Sequence, residues 1–307
     1  MMHTMKLTVG ICAYNEGLNI GRLLSNILCE QELSAESEVL IVCSGCTDHT
    51  VDIVKKYAEK DSRVKTYVEN ERQGKASAIN HILANAKGDA ILFISADTLP
   101  QKGCFSQLIL KLQFSNVGIV NGKPEPVNSP NSLVGRLVQL LWRFHDHVFE
   151  QLNDAGLARH ATEIFCIRKG IVDKIPTDTV NDDAYLGVIT KKKGWFIEYE
   201  PKSCVSISGP QTFLEYFRQR RRIIFGHYQV RKLTGESPQY LVHLMPLYPT
   251  RVLKLASWLC TEYDILTLLA FILTELMVNT AATIDFVLRK SYVPWGVSPS
   301  TKRVTTK

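Results

Sequence analysis

Asp97 is the carboxylate in this chain whose position most suggests a chemical role. It follows a short apolar run over residues 90–94 and precedes Pro100. The run suits a strand buried on both faces of a sheet, and Asp97 then lies in the turn after it. Open α/β sheets bind ligands at the carboxyl ends of their parallel strands. A lone aspartate in a turn more often caps a helix or forms an Asx-turn, so its role depends on its neighbours.

Three other polar segments also follow predicted strands. The strands are predicted over 7–13, 38–42 and 64–68, with helices over 18–28, 51–57 and 78–83 between and after them. This alternation with the strand over 90–94 predicts an α/β fold with a mostly parallel sheet and helices on both faces. The polar segments that follow the first three strands are Ala13-Tyr14-Asn15-Glu16, Ser44-Gly45-Cys46-Thr47-Asp48 and Arg72-Gln73-Gly74-Lys75.

The pattern after Asp97 is less regular. A proline-rich break is predicted over 124–130, and a strongly basic helix over 211–230. The remaining predicted elements are helices over 105–112 and 133–152, strands over 118–121, 163–167, 195–199 and 204–207, and a helix that opens within 181–186.

Composition narrows the possible functions. The chain has 307 residues, a formal net charge of +6 and 45% hydrophobic residues, which is typical of a folded domain with an appendage. Basic clusters at 191–193 and 218–222 suit phosphates or an anionic membrane surface. No basic stripe interleaved with aromatic residues is present, so nucleic acid is not an expected partner. The eight cysteines fall mostly in apolar runs, which predicts reduced thiols.

Two redox functions fit this pattern less well. Cys43-Ser44-Gly45-Cys46 has the spacing of a thiol redox pair at the start of a helix. However, this chain also uses cysteine as a small apolar residue elsewhere, for example at Cys166. The glycines near the first strand lack the Gly-x-Gly-x-x-Gly spacing of a dinucleotide-binding dehydrogenase.

The order of the polar segments resembles that of inverting nucleotide-sugar glycosyltransferases of family 2, over residues 7–232. Asp182-Asp183 lies where that family has a Glu-Asp motif, and Gln219-Arg220-Arg221-Arg222 resembles the Gln-x-x-Arg-Trp motif of its synthase-like branch. The resemblance implies the A-type glycosyltransferase fold for residues 1–232. Residues 233–307 would then form a membrane-associated helical region with apolar helices. The implied reaction is inverting transfer of a sugar from a nucleoside diphosphate by direct displacement.

The resemblance also implies a role for each matching residue. Asp97 would hold Mg²⁺ or Mn²⁺, since a hard cation bridges a diphosphate to a carboxylate. Asp183, beside Asp182, would take the proton of the acceptor hydroxyl, while Arg222 and Gln219 would serve the diphosphate and the acceptor. The nucleotide-sugar pocket would be formed by Ala13, Tyr14, Glu16, Ser44, Lys75, Ala96, Asp97 and Arg221.

Three positions depart from the family pattern. Ser95 replaces the first aspartate of Asp-x-Asp, which leaves one carboxylate for a metal. Ser44 lies where an aspartate usually contacts the nucleotide base, and Ile223 replaces the tryptophan of processive synthases, which favours single-sugar transfer. The missing aspartates motivate an alternative function, a non-catalytic sugar-nucleotide-binding homologue with a regulatory role.

Histidines on the acceptor side are the last candidates. His145 and His147 are two residues apart on a predicted helix, so they point in different directions and cannot share a metal ion. Together with His160 and His227, they are predicted to be acceptor-side or structural residues.

The C-terminal region predicts contact with a membrane. Residues 265–288 are apolar and long enough to cross a hydrocarbon core of about 30 Å, but the central Glu275 makes insertion costly. Basic residues follow this segment, and a single span would place them outside the cytoplasm. This favours an interfacial helix, or a hairpin whose first arm lies within residues 240–263, rather than a single span. The start of the chain has no apolar signal-peptide core. We therefore expect the protein at the cell membrane, with its catalytic domain on the cytoplasmic side. Its expected acceptor is lipid-linked or a glycan.

Overall fold

The computed structural model describes residues 5–238, 249–293, 296 and 299–302. Its eight strands form one sheet, in the order β3-β2-β1-β4-β7-β6-β8-β5. The strands are β1 (Leu7–Ala13), β2 (Glu38–Ser44), β3 (Val64–Glu69), β4 (Ala90–Ile94), β5 (Leu99–Pro100), β6 (Val117–Pro126), β7 (Ile164–Arg168) and β8 (Phe196–Ile207). The helices are α1 (Ile20–Glu30), α2 (Thr50–Lys60), α3 (Lys75–Asn85), α4 (Cys104–Leu112), α5 (Leu133–Asp154), α6 (Asp182–Lys192), α7 (Phe213–Thr234), α8 (Pro249–Glu262) and α9 (Ile265–Val287), followed by the 3₁₀ helix Pro299–Lys302.

Strands β1 to β4 form the parallel half of the sheet, and they confirm the predicted α/β fold. β1 lies between β2 and β4, and β3 pairs with the far side of β2. Every residue of β2 and β4 is buried, as expected for strands covered by helices on both faces. Gly10 of β1 allows α3 to pack closely, because a Cβ at this position would lie 2.7 Å from Ile82.

Alternate residues of these strands contribute to two separate cores. Val9 belongs to the core that contains Leu23 of α1, together with residues of α2 and α4. Val42 belongs to the other core, which contains Ile79 of α3 and residues of α6. The two-residue period of a strand sends neighbouring side chains to opposite faces, so the sheet carries a helical layer on each side.

The half of the sheet after β4 corrects two predictions. β7 runs antiparallel to both β4 and β6. The proline-rich break predicted at 124–130 is wrong in its first part, since β6 continues through Pro126. The two strands predicted over 195–199 and 204–207 are one strand, β8. β6 pairs with β7 over 119–121 and with β8 as far as Pro126, and proline is tolerated where a strand has a neighbour on one side.

Helices α7 and α9 pack against each other beside the sheet. Helix α7 extends to Thr234, past the predicted boundary at 232. Of the described helices, α9 is the one long and apolar enough to cross a membrane, and 28% of its apolar 18-residue stretch is buried. The first arm of the predicted hairpin lies partly outside the described residues, and its remainder is α8.

Candidate active site

A cavity of about 880 Å³ lies at the carboxyl ends of β1 to β4. Parallel strands bring the loops that follow them to one edge of the sheet, and α6 and α7 close the cavity from the other side. Every predicted site residue lines it: Ala13, Tyr14, Glu16, Ser44, Lys75, Ala96, Asp97, Asp182, Asp183, Gln219, Arg221 and Arg222.

The loops after β1, β2 and β3 contact one another at one end of the cavity. The guanidinium carbon of Arg72 lies 3.9 Å from the centre of the Tyr14 ring. Ser44 Oγ accepts a hydrogen bond from the backbone N–H of Gln73 at 3.1 Å. Gly45 has a φ of +61°, and a Cβ there would lie 2.5 Å from the backbone nitrogen of Arg72. This end therefore offers an aromatic ring, a guanidinium and a hydroxyl, which suit a planar base and its ribose.

The C-terminal 3₁₀ helix covers the same end. Lys302 Nζ lies 2.7 Å from Glu16 Oε1 and donates to the backbone oxygen of Tyr14. Ser300 Oγ donates to Glu215 Oε2 at 2.6 Å. The segment therefore links the loop after β1 to the first turn of α7.

Asp97 lies among other carboxylates at the end of β4. Burial raises the pKa of Asp97 to about 7, and the negative charges of Glu16 and Glu163 act in the same direction. Lys302 opposes this shift. Ser95 Oγ donates to Glu163 Oε2 at 3.0 Å. Because negative charge is concentrated around Asp97, a cation bound beside it would be stabilised.

Lys75 and Asp182 form an ion pair at the cavity wall. Each is the first residue of its helix, and Nζ lies 3.0 Å from Oδ2. Burial lowers the pKa of Lys75, but Asp182, Glu163 and Asp183 outweigh it and raise the pKa above its ordinary value. Lys75 therefore stays charged at neutral pH and partly neutralises the carboxylates of the site.

Asp183 lies on the first turn of α6, open to the cavity. Its Oδ1 accepts the backbone N–H of Ala184 at 2.7 Å and lies 3.9 Å from His160 Nε2. His160 Nδ1 donates to the backbone oxygen of Ala161, so Nε2 faces Asp183. The Asp183 side chain is 28% exposed, and a carboxylate reachable from the cavity can accept a proton from a bound hydroxyl.

The other histidines divide between the cavity and the surface of α5. His145 and His227 line the cavity. Burial, with help from Arg220 and His160, lowers the pKa of His145 to about 3. Burial likewise lowers the pKa of His227 well below its ordinary value, so both rings are neutral at pH 7. His147 points elsewhere and stacks on Trp258 with 4.7 Å between ring centres.

The three consecutive arginines of α7 point in different directions, as residues about 100° apart on a helix must. Arg220 binds Glu275 of α9 through Nε at 2.9 Å and Nη2 at 2.8 Å. Arg221 binds Asp285 of α9 through Nε and Nη2 in the same two-point manner. Burial lowers the pKa of Arg222, and the carboxylates of the site oppose this. Arg222 therefore faces the carboxylate cluster, whereas the guanidinium of Arg221 is engaged by α9.

Sequence reasoning missed several residues of the site. Glu163 was seen as a strand residue, and nothing in the local sequence marks it as a partner of Ser95. Arg72 belongs to the polar segment that follows the third predicted strand, but its contact with Tyr14 was not predicted. Asn80 exchanges two hydrogen bonds with the backbone of Ile175, and so fixes the loop that leads to α6.

Comparison with known families now adds to this geometry. The profile of the family described as Glycosyl transferase family 2 matches residues 8–175, more than half of the chain. The chain belongs to this family. The match begins in β1 and ends before α6, so it covers the loops around Asp97 but leaves Asp183 and the arginines of α7 outside it.

Curated relatives are glycosyltransferases. The chain is 26% identical over 243 residues to the probable glycosyltransferase YdaM of Bacillus subtilis (strain 168), which covers 75% of this chain and 57% of YdaM. It is 24% identical over 230 residues to the poly-beta-1,6-N-acetyl-D-glucosamine synthase of Staphylococcus aureus, covering 73% of this chain and 55% of the synthase. The chain thus spans about half the length of these relatives.

Solved structures share the fold. The mannosyltransferase PcManGT of Pyrobaculum calidifontis, in complex with GDP-mannose and Mn²⁺, superposes with a TM-score of 0.69 and 20% identity, covering 94% of this chain and 89% of that one. TarS of S. aureus, in complex with UDP-N-acetylglucosamine, gives a TM-score of 0.57 and 17% identity, covering 92% and 81%. These similarities confirm the A-type glycosyltransferase fold.

The thiols show no disulfide. All eight cysteines are free, with Cys43 buried and Cys46 partly buried. Cys46 Sγ donates to the backbone oxygen of Ala13 at 3.5 Å. The pair therefore packs beneath the loop after β1.

Proposed function

We propose that this protein is an inverting glycosyltransferase that moves a sugar from a nucleoside diphosphate to a lipid-linked or membrane-presented acceptor. The observation that carries the proposal is that Asp97, Asp183 and Arg222 line one cavity at the carboxyl ends of the parallel strands. Membership of glycosyl transferase family 2 supports the reaction class.

The donor end would bind through Asp97 and the loops near Tyr14. Among the described residues, no group of three or more His, Cys, Asp or Glu side chains forms a metal site. Asp97 nevertheless fits a divalent cation, because its carboxyl group lies in the cavity within reach of the negative charges of Glu16 and Glu163, and phosphate oxygens and water can complete the ligands of Mg²⁺ or Mn²⁺. When bound, such a cation would neutralise the diphosphate as it leaves.

The acceptor would react at the other side of the donor sugar. Asp183 takes the proton of the acceptor hydroxyl while the oxygen of that hydroxyl forms a bond to the anomeric carbon. The bond between that carbon and the diphosphate oxygen breaks, and the diphosphate leaves with the electron pair. Arg222 and Gln219, on α7, stabilise the negative charge that develops on the diphosphate.

A membrane surface is the proposed location of the acceptor. Leu266, Leu273 and Leu276 of α9 are exposed, while Glu275 and Asp285 of the same helix turn inward to α7. An apolar helix with its carboxylates buried against the protein suits attachment in the plane of a membrane. Attachment at the cytoplasmic face would leave the catalytic domain in the cytoplasm.

A donor-turnover assay tests the proposal. The purified full chain is incubated with Mn²⁺, detergent-solubilised membrane lipid, and GDP-mannose or UDP-N-acetylglucosamine, the donors named for the solved neighbours. We expect nucleoside diphosphate to be released with one of these or a related sugar nucleotide. Asp183→Asn should abolish release, and the control Asp173→Asn, at an exposed position, should not.

The competing function has its own outcome in this assay. Ser95 and Ser44 lack the carboxylates that the family usually has, which favours a sugar-nucleotide-binding homologue with a regulatory role as the second candidate. That protein would bind a sugar nucleotide without releasing the diphosphate, even when solubilised membrane lipid is present. A thiol redox protein would instead lose function in Cys43→Ser and keep it in Asp97→Ala.

A further inference from the structure

Glu163 is a cavity-lining carboxylate with no role in the function proposed above. β4 and β7 are antiparallel, and Ile94 pairs with Ile164 at the end of the ladder. Antiparallel pairing therefore brings Ser95, the residue after β4, opposite Glu163, the residue before β7. The two side chains meet there, because Ser95 Oγ donates to Glu163 Oε2 at 3.0 Å.

The carboxylate of Glu163 lines the same cavity as Asp97 and Asp183. Its negative charge raises the pKa of Asp97. Burial raises the pKa of Glu163 itself, Lys75 opposes this rise, and the negative charge of Asp183 adds to it. Asp97 is assigned to the diphosphate and Asp183 to the attacking hydroxyl. A group that interacts with both of them borders the space in which the transferred sugar must lie.

We propose that Glu163 is a donor-sugar-binding residue whose carboxylate accepts hydrogen bonds from hydroxyl groups of the transferred sugar. This inference rests on the proposed function. A carboxylate can accept several hydrogen bonds, and Ser95 is a short donor that fixes its orientation. The carboxylate that position 95 lacks is thereby supplied from the neighbouring strand.

Binding measurements that separate the sugar from the diphosphate test this role. Calorimetry on the full chain with Mn²⁺ compares GDP-mannose with GDP, and UDP-N-acetylglucosamine with UDP. Glu163→Gln keeps the shape of the side chain and can still accept from Ser95. We expect Glu163→Gln to weaken binding of the sugar nucleotide by about 10- to 100-fold, as for the loss of a charged hydrogen bond. The affinity for the nucleoside diphosphate should change by less than about twofold.

Three results would count against this inference in distinguishable ways. If the wild type binds neither sugar nucleotide, the proposed function fails for these donors, and the inference about Glu163 fails with it. If the wild type binds one but Glu163→Gln leaves it unchanged, Glu163 does not contact the sugar. An equal loss for sugar nucleotide and nucleoside diphosphate assigns Glu163 to the diphosphate end or to folding.

Exchange of the two side chains provides a rescue experiment. Glu163→Ser should lose sugar-dependent affinity, and Ser95→Asp alone should lose it too, because two carboxylates would then be in contact. The double variant Ser95→Asp with Glu163→Ser moves the carboxylate across the strand pair, and it should recover sugar-dependent affinity to within about tenfold of the wild type. A double variant no better than either single one, with an unchanged unfolding midpoint, overturns the proposal.

Discussion

Replacing Asp97 by asparagine should stabilise the protein while it removes activity. The pKa of Asp97 rises from 3.8 to about 7, first because of burial and then because of Glu16 and Glu163. Between these two pH values the folded state holds a proton that the unfolded chain has released. The free energy of unfolding therefore falls as the pH rises through this window, and the full penalty is present above about pH 7.

The size of this penalty follows from the shift. At about 1.36 kcal/mol per pH unit, a rise from 3.8 to about 7 corresponds to about 4 kcal/mol. Water that enters the cavity beside Asp97 reduces this value, so we expect Asp97→Asn to raise the free energy of unfolding by roughly 1–4 kcal/mol at pH 8. At pH 5 the gain should be smaller, because the wild-type carboxyl group is still protonated in the folded state.

Urea unfolding at pH 5 and pH 8 measures this difference, with Asp173→Asn as the exposed control. Saturating Mn²⁺ should stabilise the wild type by about 3 kcal/mol at 100 times its dissociation constant, and should have little effect on Asp97→Asn. If Asp97→Asn unfolds at the same or a lower urea concentration than the wild type at pH 8, the burial argument is wrong. If Mn²⁺ stabilises both proteins equally, the cation does not bind at Asp97.

Three further predictions concern the C-terminal helix and the thiols. Asp285→Asn breaks the two-point pair with Arg221 and should lower the free energy of unfolding by roughly 1–3 kcal/mol; urea unfolding with no change would show that the pair is not stabilising. Leu273→Glu, on the exposed face of α9, should abolish flotation with anionic phospholipid vesicles, whereas Leu110→Glu, at an equally exposed position on α4, should float normally; loss in both or in neither would refute attachment through α9. Cys43→Ser should retain at least half of the donor turnover of the wild type, and complete loss without unfolding would revive the thiol redox function.

Much of the fold was predictable because the first half of the chain follows local rules. Strands β1, β2 and β4 are largely apolar runs, and each helix between β1 and β4 shows apolar residues at helical spacing. The sequence was less informative where a neighbour overrides local preference. Pro124 and Pro126 indicate a break, yet β6 continues through both because it pairs with β8 there.

By itself, the sequence determined the family, the parallel half of the sheet and several cavity residues on the loops after β1 to β4, since parallel strands bring the loops that follow them to one edge. Only the tertiary structure decided which side chains meet there. Antiparallel β7 brings Glu163 to Ser95, and the packing of α9 on α7 pairs Arg221 with Asp285. Such contacts join residues far apart in the chain, and they depend on the register of strands and the rotation of helices, which local patterns do not encode.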